Sequence, residues 1–299
     1  MASQVFQDGW VVVPQVRALR ETVYGVKTHY VFAGEGEPLV LVHGGGPGAS
    51  GESGWRNTIP ALAEHYRVYA IDLIGSGYTD KPAIEYSFQT FVEHVAGFVE
   101  ALNLEPIRIV GNSQGAYIAI KYALDHPAHV KQAGLISTGT LAKAVGLDDE
   151  GKAAPLPRFD GTRESLKAFI EVIVNDPAKI TDELIDSRFA VASLPGHREM
   201  FASIARYRKV MEDDSSYRQV FEVRERLEKL TIPWCMIWGG ADRSAPFDPL
   251  GKGMHAMFPQ VPFHMVEGSG HQVQNDKPEE CNRLLLEFFG AGAREPVRA

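Results

Sequence analysis

Apolar residues in this chain fall into short runs, and amphipathic stretches alternate with them. Thr28 to Phe32, Leu39 to Val42, Val68 to Ile71, Ile107 to Val110, Ala133 to Ile136, Trp234 to Trp238 and Phe263 to Val266 have the length and apolar content of buried strands. Between them, Gln89 to Leu102, Gln114 to Leu124 and Pro278 to Phe289 carry apolar residues at helical spacing. Strands separated by helices are joined by crossovers rather than hairpins. The pattern therefore predicts an α/β protein with a mostly parallel central sheet flanked by helices on both faces.

The alternation stops near Ser137 and resumes near Leu230. The intervening stretch is more polar and reads as helical over Arg163 to Val174, Thr181 to Ala192, His197 to Met211 and Tyr217 to Leu227, with Pro155, Pro157, Pro177 and Pro195 as punctuation. It holds no good strand, so a continuous second half of the sheet is a poor reading. The expected organisation is a core built from residues 1–137 and 230–299, with residues 138–229 inserted as a helical lid over the end of the sheet where the βα loops gather.

Composition narrows the function classes. The 299 residues, 44% hydrophobic and 23% charged, are those of an ordinary globular protein. A net charge of −8 without a basic tract excludes nucleic acid as the main partner. Cys235 lies in an apolar run and Cys281 in a helical one, which favours two buried free thiols over a disulfide. Met1 to Gln7 lacks a basic-then-apolar pattern and no stretch approaches the roughly 18 apolar residues of a membrane span. A cytoplasmic protein with no membrane partner is expected.

The chemistry concentrates just past strands. Gly111-Asn112-Ser113-Gln114-Gly115 follows one strand and opens a helix, so Ser113 sits on a sharp turn that pushes its hydroxyl out of the sheet. A serine needs a base, and the base needs an orienting acid. Asp242 follows the strand ending at Trp238, and His271 follows the strand ending at Val266, both in glycine-rich surroundings. In a parallel sheet those three positions meet at one edge. Capping by Asp242 and an unremarkable burial of His271 are the bland alternatives. Leu39 to Val42 runs into His43-Gly44-Gly45-Gly46-Pro47-Gly48, where glycines let amides approach a developing oxyanion, and the amides of Gly45 and Gln114 are the expected pair. A phosphate cradle is the rival reading of that loop, but no Gly-Lys-Ser/Thr follows it. His43 is expected to hold the loop, and Asp72 to Gly77 to form a turn. No metal and no cofactor is called for.

These residues, from His43-Gly44 through Ser113 and Asp242 to His271, resemble the α/β-hydrolase superfamily. Within it, His43 to Ala49, Trp55-Arg56-Asn57, Asp72 to Gly77 with Lys81-Pro82, and Gly111-Asn112-Ser113 resemble the meta-cleavage-product hydrolases. The resemblance implies cofactor-free hydrolysis of a carbon–carbon bond in a vinylogous 1,5-diketo acid from catechol ring opening. It also implies that Asn112 and Arg188, the latter within Ile185-Asp186-Ser187-Arg188-Phe189, face the substrate's acid end; a solvated Arg188 is the alternative. Gly46 and Gln272 are further expected substrate-binding positions. A homodimer is compatible with the resemblance.

Three positions depart from the family pattern: Gln114 replaces an apolar residue, Ala116 a glycine, and Gln272 a tryptophan. They make the expected pocket more polar. A carboxylesterase or lactonase on the same triad is the main alternative, and a small-molecule receptor or a cofactor-free oxygenase using His271 as base stands behind it. The charged, proline-rich segment Gly146 to Gly161 reads equally as a flap or as an inert loop.

Overall fold

The structure, a computed structural model, describes residues 6–290. Eight strands form one sheet: β1 (Gln7–Arg17), β2 (Thr22–Ala33), β3 (Pro38–Val42), β4 (Arg67–Ile71), β5 (Ile107–Asn112), β6 (Val130–Ile136), β7 (Trp234–Gly239) and β8 (Phe263–Val266). Their order is β1-β2-β4-β3-β5-β6-β7-β8. From β4 to β8 the strands are parallel, and β1 and β2 form an antiparallel edge. Register pairs Val42 with Gly111, Asn112 with Ile136 and Gly239 with Val266. The loops that leave β3, β5, β7 and β8 are thereby gathered at one edge.

Four helices precede β6: α1 (Gly51–Trp55), α2 (Ile59–Ala63), α3 (Phe88–Ala101) and α4 (Gln114–Asp125). Between β6 and β7 come α5 (Gly139–Ala144), α6 (Arg163–Ile173), α7 (Asp182–Ala192), α8 (His197–Asp213), α9 (Ser215–Phe221) and α10 (Arg224–Glu228). The chain then adds α11 (Lys252–Met257), α12 (Val273–Asp276) and α13 (Pro278–Phe289).

The central strands β3 to β7 are buried on both faces, which explains why they read as apolar runs. Val40 and Val42 of β3 pack in one core cluster, and Leu39 and Leu41 in the other. The first cluster takes in Phe91, Val95 and Phe98 of α3 and Ile118 of α4. The second takes in Trp55, Leu62, Leu284 and Leu285 of α1, α2 and α13. Residues Leu166, Phe169, Ile170, Leu184 and Ile185 of α6 and α7 form a separate small cluster, whereas Met200, Ile204, Tyr207 and Met211 of α8 join the first large one.

Two features depart from the sequence reading. β1 has no counterpart in it, because its buried positions Gly9, Val13 and Val16 do not alternate; Pro14 interrupts the pairing opposite Gly25, whose φ is +66°. The helix expected over Tyr217 to Leu227 is split into α9 and α10. Buried Val223 donates its amide to the Ala144 carbonyl at 3.0 Å, and Glu222 is extended to allow it. Both cysteines are buried and free. Among the described residues no helix is long and apolar enough to cross a membrane.

Candidate active site

Ser113 stands between β5 and α4 with φ +59° and ψ −125°, a backbone conformation that costs on the order of 1–3 kcal/mol and must be imposed by its surroundings. The imposition is visible on both sides. A Cβ on Gly111 would meet the Gly115 carbonyl oxygen at 2.2 Å, and one on Gly115 would meet the Val42 carbonyl oxygen at 2.3 Å. Only glycine permits the strand, the turn and the Gly44 loop to approach this closely. The Ser113 amide donates to the Ile136 carbonyl at 2.9 Å, and the side chain remains half-buried. Among the described residues nothing hydrogen-bonds the Ser113 hydroxyl.

Asp242, past the end of β7, is fixed by three donors. One carboxylate oxygen, Oδ1, accepts from the amides of Ser244 at 2.8 Å and Ala245 at 2.7 Å; the other, Oδ2, lies 2.8 Å from Nδ1 of His271. Trp238 Nε1 donates to the Ala245 carbonyl at 2.9 Å and holds the turn. With Nδ1–H directed to the carboxylate, the Nε2 lone pair of His271 is left to accept a proton. Asn112 Nδ2 donates to the His271 carbonyl at 3.0 Å and to the Ile136 carbonyl at 3.3 Å. The residue before Ser113 therefore latches the histidine loop to the serine turn.

Across the turn lies the His43 to Gly48 loop. Buried His43 donates from Nδ1 to the Gly44 carbonyl at 2.7 Å and accepts at Nε2 from the Leu73 amide at 3.1 Å. Burial lowers its pKa, so the neutral ring is the stable one. A Cβ on Gly45 would lie 2.9 Å from Gln114 Oε1, so the glycine backbone rests against the residue following Ser113. The amides of Gly45 and Gln114 have no hydrogen-bond partner among the described residues.

The insertion docks on this same loop. A Cβ on Gly46 would meet Phe169 at 2.7 Å, and one on Gly48 the Arg188 carbonyl oxygen at 2.0 Å. Arg188, 1% exposed, donates from Nε (3.1 Å) and Nη2 (2.7 Å) to the Pro47 carbonyl. Its guanidinium forms no ion pair among the described residues, and burial, helped by the charge of Arg56, brings its pKa down to about 10. His197 accepts the Gly48 amide at Nε2, 3.1 Å away. Burial, then the charges of Lys81 and Arg188, lowers its pKa to about 4. From α8, Arg208 Nη2 donates to Gln114 Oε1 at 3.0 Å, with the guanidinium 5.6 Å from the centroid of the Phe88 ring.

Of the residues singled out from sequence, Ser113, Gly45, Gln114, Asp242, His271, Gly46 and Arg188 converge around one end of the sheet. The side chains of Asn112 and Gln272 are engaged in the fold: Gln272 Oε1 accepts from Asn275 Nδ2 at 2.9 Å, while the Gln272 backbone N–H donates to the Ile173 carbonyl at 3.1 Å. His197 and Arg208 were not singled out. Arg208 follows Tyr207 on α8, beside a buried stripe of Met200, Ile204, Tyr207 and Met211. That helix also carries Arg198, Arg206 and Lys209, so nothing in its sequence separates the cation that reaches Gln114 from the others. Segment 146–161 is tied beside the acid's loop, the Ala154 amide donating to the Arg243 carbonyl at 2.7 Å. Among the described residues no cluster of His, Cys, Asp and Glu fits a metal ion.

Residues 37–278 match the alpha/beta hydrolase fold family. The 2-hydroxy-6-oxo-6-(2'-aminophenyl)hexa-2,4-dienoic acid hydrolase of Metapseudomonas resinovorans is 31% identical over 270 residues, covering 90% of this chain and 89% of that protein. A 2-hydroxy-6-oxononadienedioate/2-hydroxy-6-oxononatrienedioate hydrolase of Pseudomonas putida is 33% identical over 280 residues, 91% of this chain and 94% of that protein. Among solved structures, the meta-cleavage product hydrolase of Pseudomonas fluorescens IP01 superposes with a TM-score of 0.73 at 28% identity, covering 94% of this chain and 98% of that one.

Proposed function

The chain belongs to the α/β-hydrolase family and resembles meta-cleavage-product hydrolases over most of its length, and from that premise we propose that it hydrolyses a carbon–carbon bond in a vinylogous 1,5-diketo acid from aromatic ring opening. The observation that carries this beyond a general serine hydrolase is Arg188, a fully buried guanidinium with no carboxylate partner among the described residues. A buried unpaired cation is costly, and a planar fork is suited to a carboxylate. A simple ester has no carboxylate to offer it.

In this reading residues 138–229 form a lid on a core of 1–137 and 230–299, and Arg188 on that lid binds the carboxylate of the dienol half beside Gly46 and Gln272. His271, oriented by Asp242, moves the proton of the substrate's enol hydroxyl to the carbon that will leave. It then activates Ser113 or a water for attack on the distal carbonyl. The Gly45 and Gln114 amides donate to the oxyanion. When the carbon–carbon bond breaks, its electron pair is taken up by the conjugated keto acid as an enolate, and the acyl half leaves as a carboxylic acid, directly where water attacked or after water hydrolyses the acyl-Ser113 ester. Asn112, through the His271 carbonyl, is a positioning residue.

The test is loss of visible absorbance of a conjugated ring-cleavage dienol, run beside a chromogenic short-chain ester, with wild type and Ser113→Ala. Fast bleaching that needs Ser113, with weak ester turnover, is the expected result. Ester turnover without bleaching would replace this reading with that of an esterase or lactonase.

A further inference from the structure

The relatives differ in the acyl half of their substrates, one carrying an aminophenyl group and another a second carboxylate. Arg208 bears on which kind suits this chain. It reaches Gln114, the residue whose amide faces the oxyanion, and a single hydrogen bond to a neutral oxygen is what it makes among the described residues. The guanidinium has five N–H donors in a plane, so most of that plane is left unused beside the serine turn. The guanidinium carbon lies 5.6 Å from the centroid of the Phe88 ring, a contact that does not neutralise it.

Other arginines of the insertion show what satisfaction looks like here. Arg163 bonds both Asp182 and Asp186, and Arg226 bonds Asp125. Arg208 pairs with no carboxylate among the described residues, although protein surrounds its guanidinium closely enough for burial to lower its pKa. The residue itself is exposed. An apolar acyl group seated there would strip water from the guanidinium without compensation.

Resting on the function proposed above, we infer that Arg208 is a specificity-determining residue that binds a second carboxylate, carried on the acyl half of the substrate. The dienol half has one carboxylate, which Arg188 takes; a second anion therefore belongs to the other half, next to Gln114. The acyl product is then a short dicarboxylic acid. The reaction that supplies the substrate is oxygenative opening of a catechol bearing a carboxyalkyl chain. Gln114 accepts from one edge of the guanidinium and leaves the other edge for a bidentate carboxylate.

The experiment compares 2-hydroxy-6-oxohepta-2,4-dienoate, which ends in a methyl ketone, with the 2-hydroxy-6-oxononadienedioate, in wild type, Arg208→Met and Arg208→Lys. Wild type is expected to favour the dicarboxylate by about tenfold or more in kcat/KM. Arg208→Met should lose that preference, its kcat/KM falling about tenfold further on the dicarboxylate than on the heptadienoate, with thermal unfolding near that of wild type showing that the variant is folded. Arg208→Lys should keep part of the preference. A wild-type preference for the heptadienoate, or equal losses on both substrates, would overturn the assignment. Bleaching of neither dienol would instead overturn the function proposed above. For that case, equilibrium binding of both dienols to Ser113→Ala and to Ser113→Ala/Arg208→Met isolates Arg208 from the chemistry. Tighter binding of the dicarboxylate that disappears with Arg208 supports its role, and equal binding sinks it.

Discussion

In the sheet, neighbouring residues of β3 divide between two apolar clusters, and what holds them is area removed from water. The insertion has a small apolar cluster of its own between α6 and α7, but its grip on the glycine loop is polar: Arg188 on the Pro47 carbonyl and His197 on the Gly48 amide. Burying a guanidinium without an acid partner does not stabilise a fold. The two regions therefore divide the labour. The sheet supplies stability and brings loop ends together, and the insertion places charge above them at some expense in stability. Substitutions should separate those roles.

Ser113→Ala is the largest expected effect on the sheet's side of the comparison: a loss of about 10³-fold or more in dienol turnover, with unchanged thermal unfolding. Residual turnover near the wild-type level would remove Ser113 from the chemistry. Next, Leu41→Ala, in the second core cluster and fully buried, should cost about 3 kcal/mol in denaturant unfolding, while the protein that remains folded keeps its kcat. A selective loss of kcat would show that the sheet is tuned to the site rather than merely supporting it.

Arg188→Met should lower kcat/KM on the dienol by about 100-fold, the scale of a lost charged pairing, while leaving Tm no lower than wild type, because a buried unpaired charge has been removed. A steep fall in Tm would break the comparison by making the insertion's polar contacts a support of the fold.

The smallest effect sharpens it through pH. His197 in the insertion has a folded pKa of about 4, below its ordinary 6.5. Between those values the unfolded state binds a proton that the folded state does not, so this histidine's contribution falls as pH drops from about 6.5 to about 4, by at most about 1.4 kcal/mol per pH unit. His29, in the sheet, is opposite in sign: burial works to lower its pKa, but the Asp72 and Asp8 carboxylates outweigh that and raise it. Its contribution is complete below pH 6.5 and fades as pH rises through the folded value. Acid should thus loosen the Gly48 contact before the β1–β2 edge. Hydrogen exchange at Gly48 and α8 should rise on acidification relative to β2, and His197→Asn should lose less stability than wild type across the same interval. Equal acid sensitivity in His197→Asn would remove His197 from the effect.

Much of this was legible along the chain. The strand runs of β3 to β7 could be read because burial on both faces demands continuous apolar residues, and α13 because its pattern is regular from Pro278 to Phe289. Ser113, Asp242 and His271 could be picked out because each follows a strand in the glycine-rich setting that close backbone approach requires. β1 was hidden by Pro14 and an irregular set of buried positions. The α9–α10 break was hidden because its cause is the distant Ala144 carbonyl.

What the sequence determined by itself is the sheet, the inserted helices and the order of serine, acid and histidine, since periodicity and glycine placement are local properties. The tertiary structure alone decided what the polar side chains touch. Asn112 turns to the His271 carbonyl, Gln272 to Asn275, His197 to Gly48 and Arg208 to Gln114. Each of these partners is set by how elements far apart in the chain pack, except Asn275, which lies one turn beyond Gln272. An arginine or amide has the same appearance in a sequence whether its partner is water, a carbonyl or a substrate.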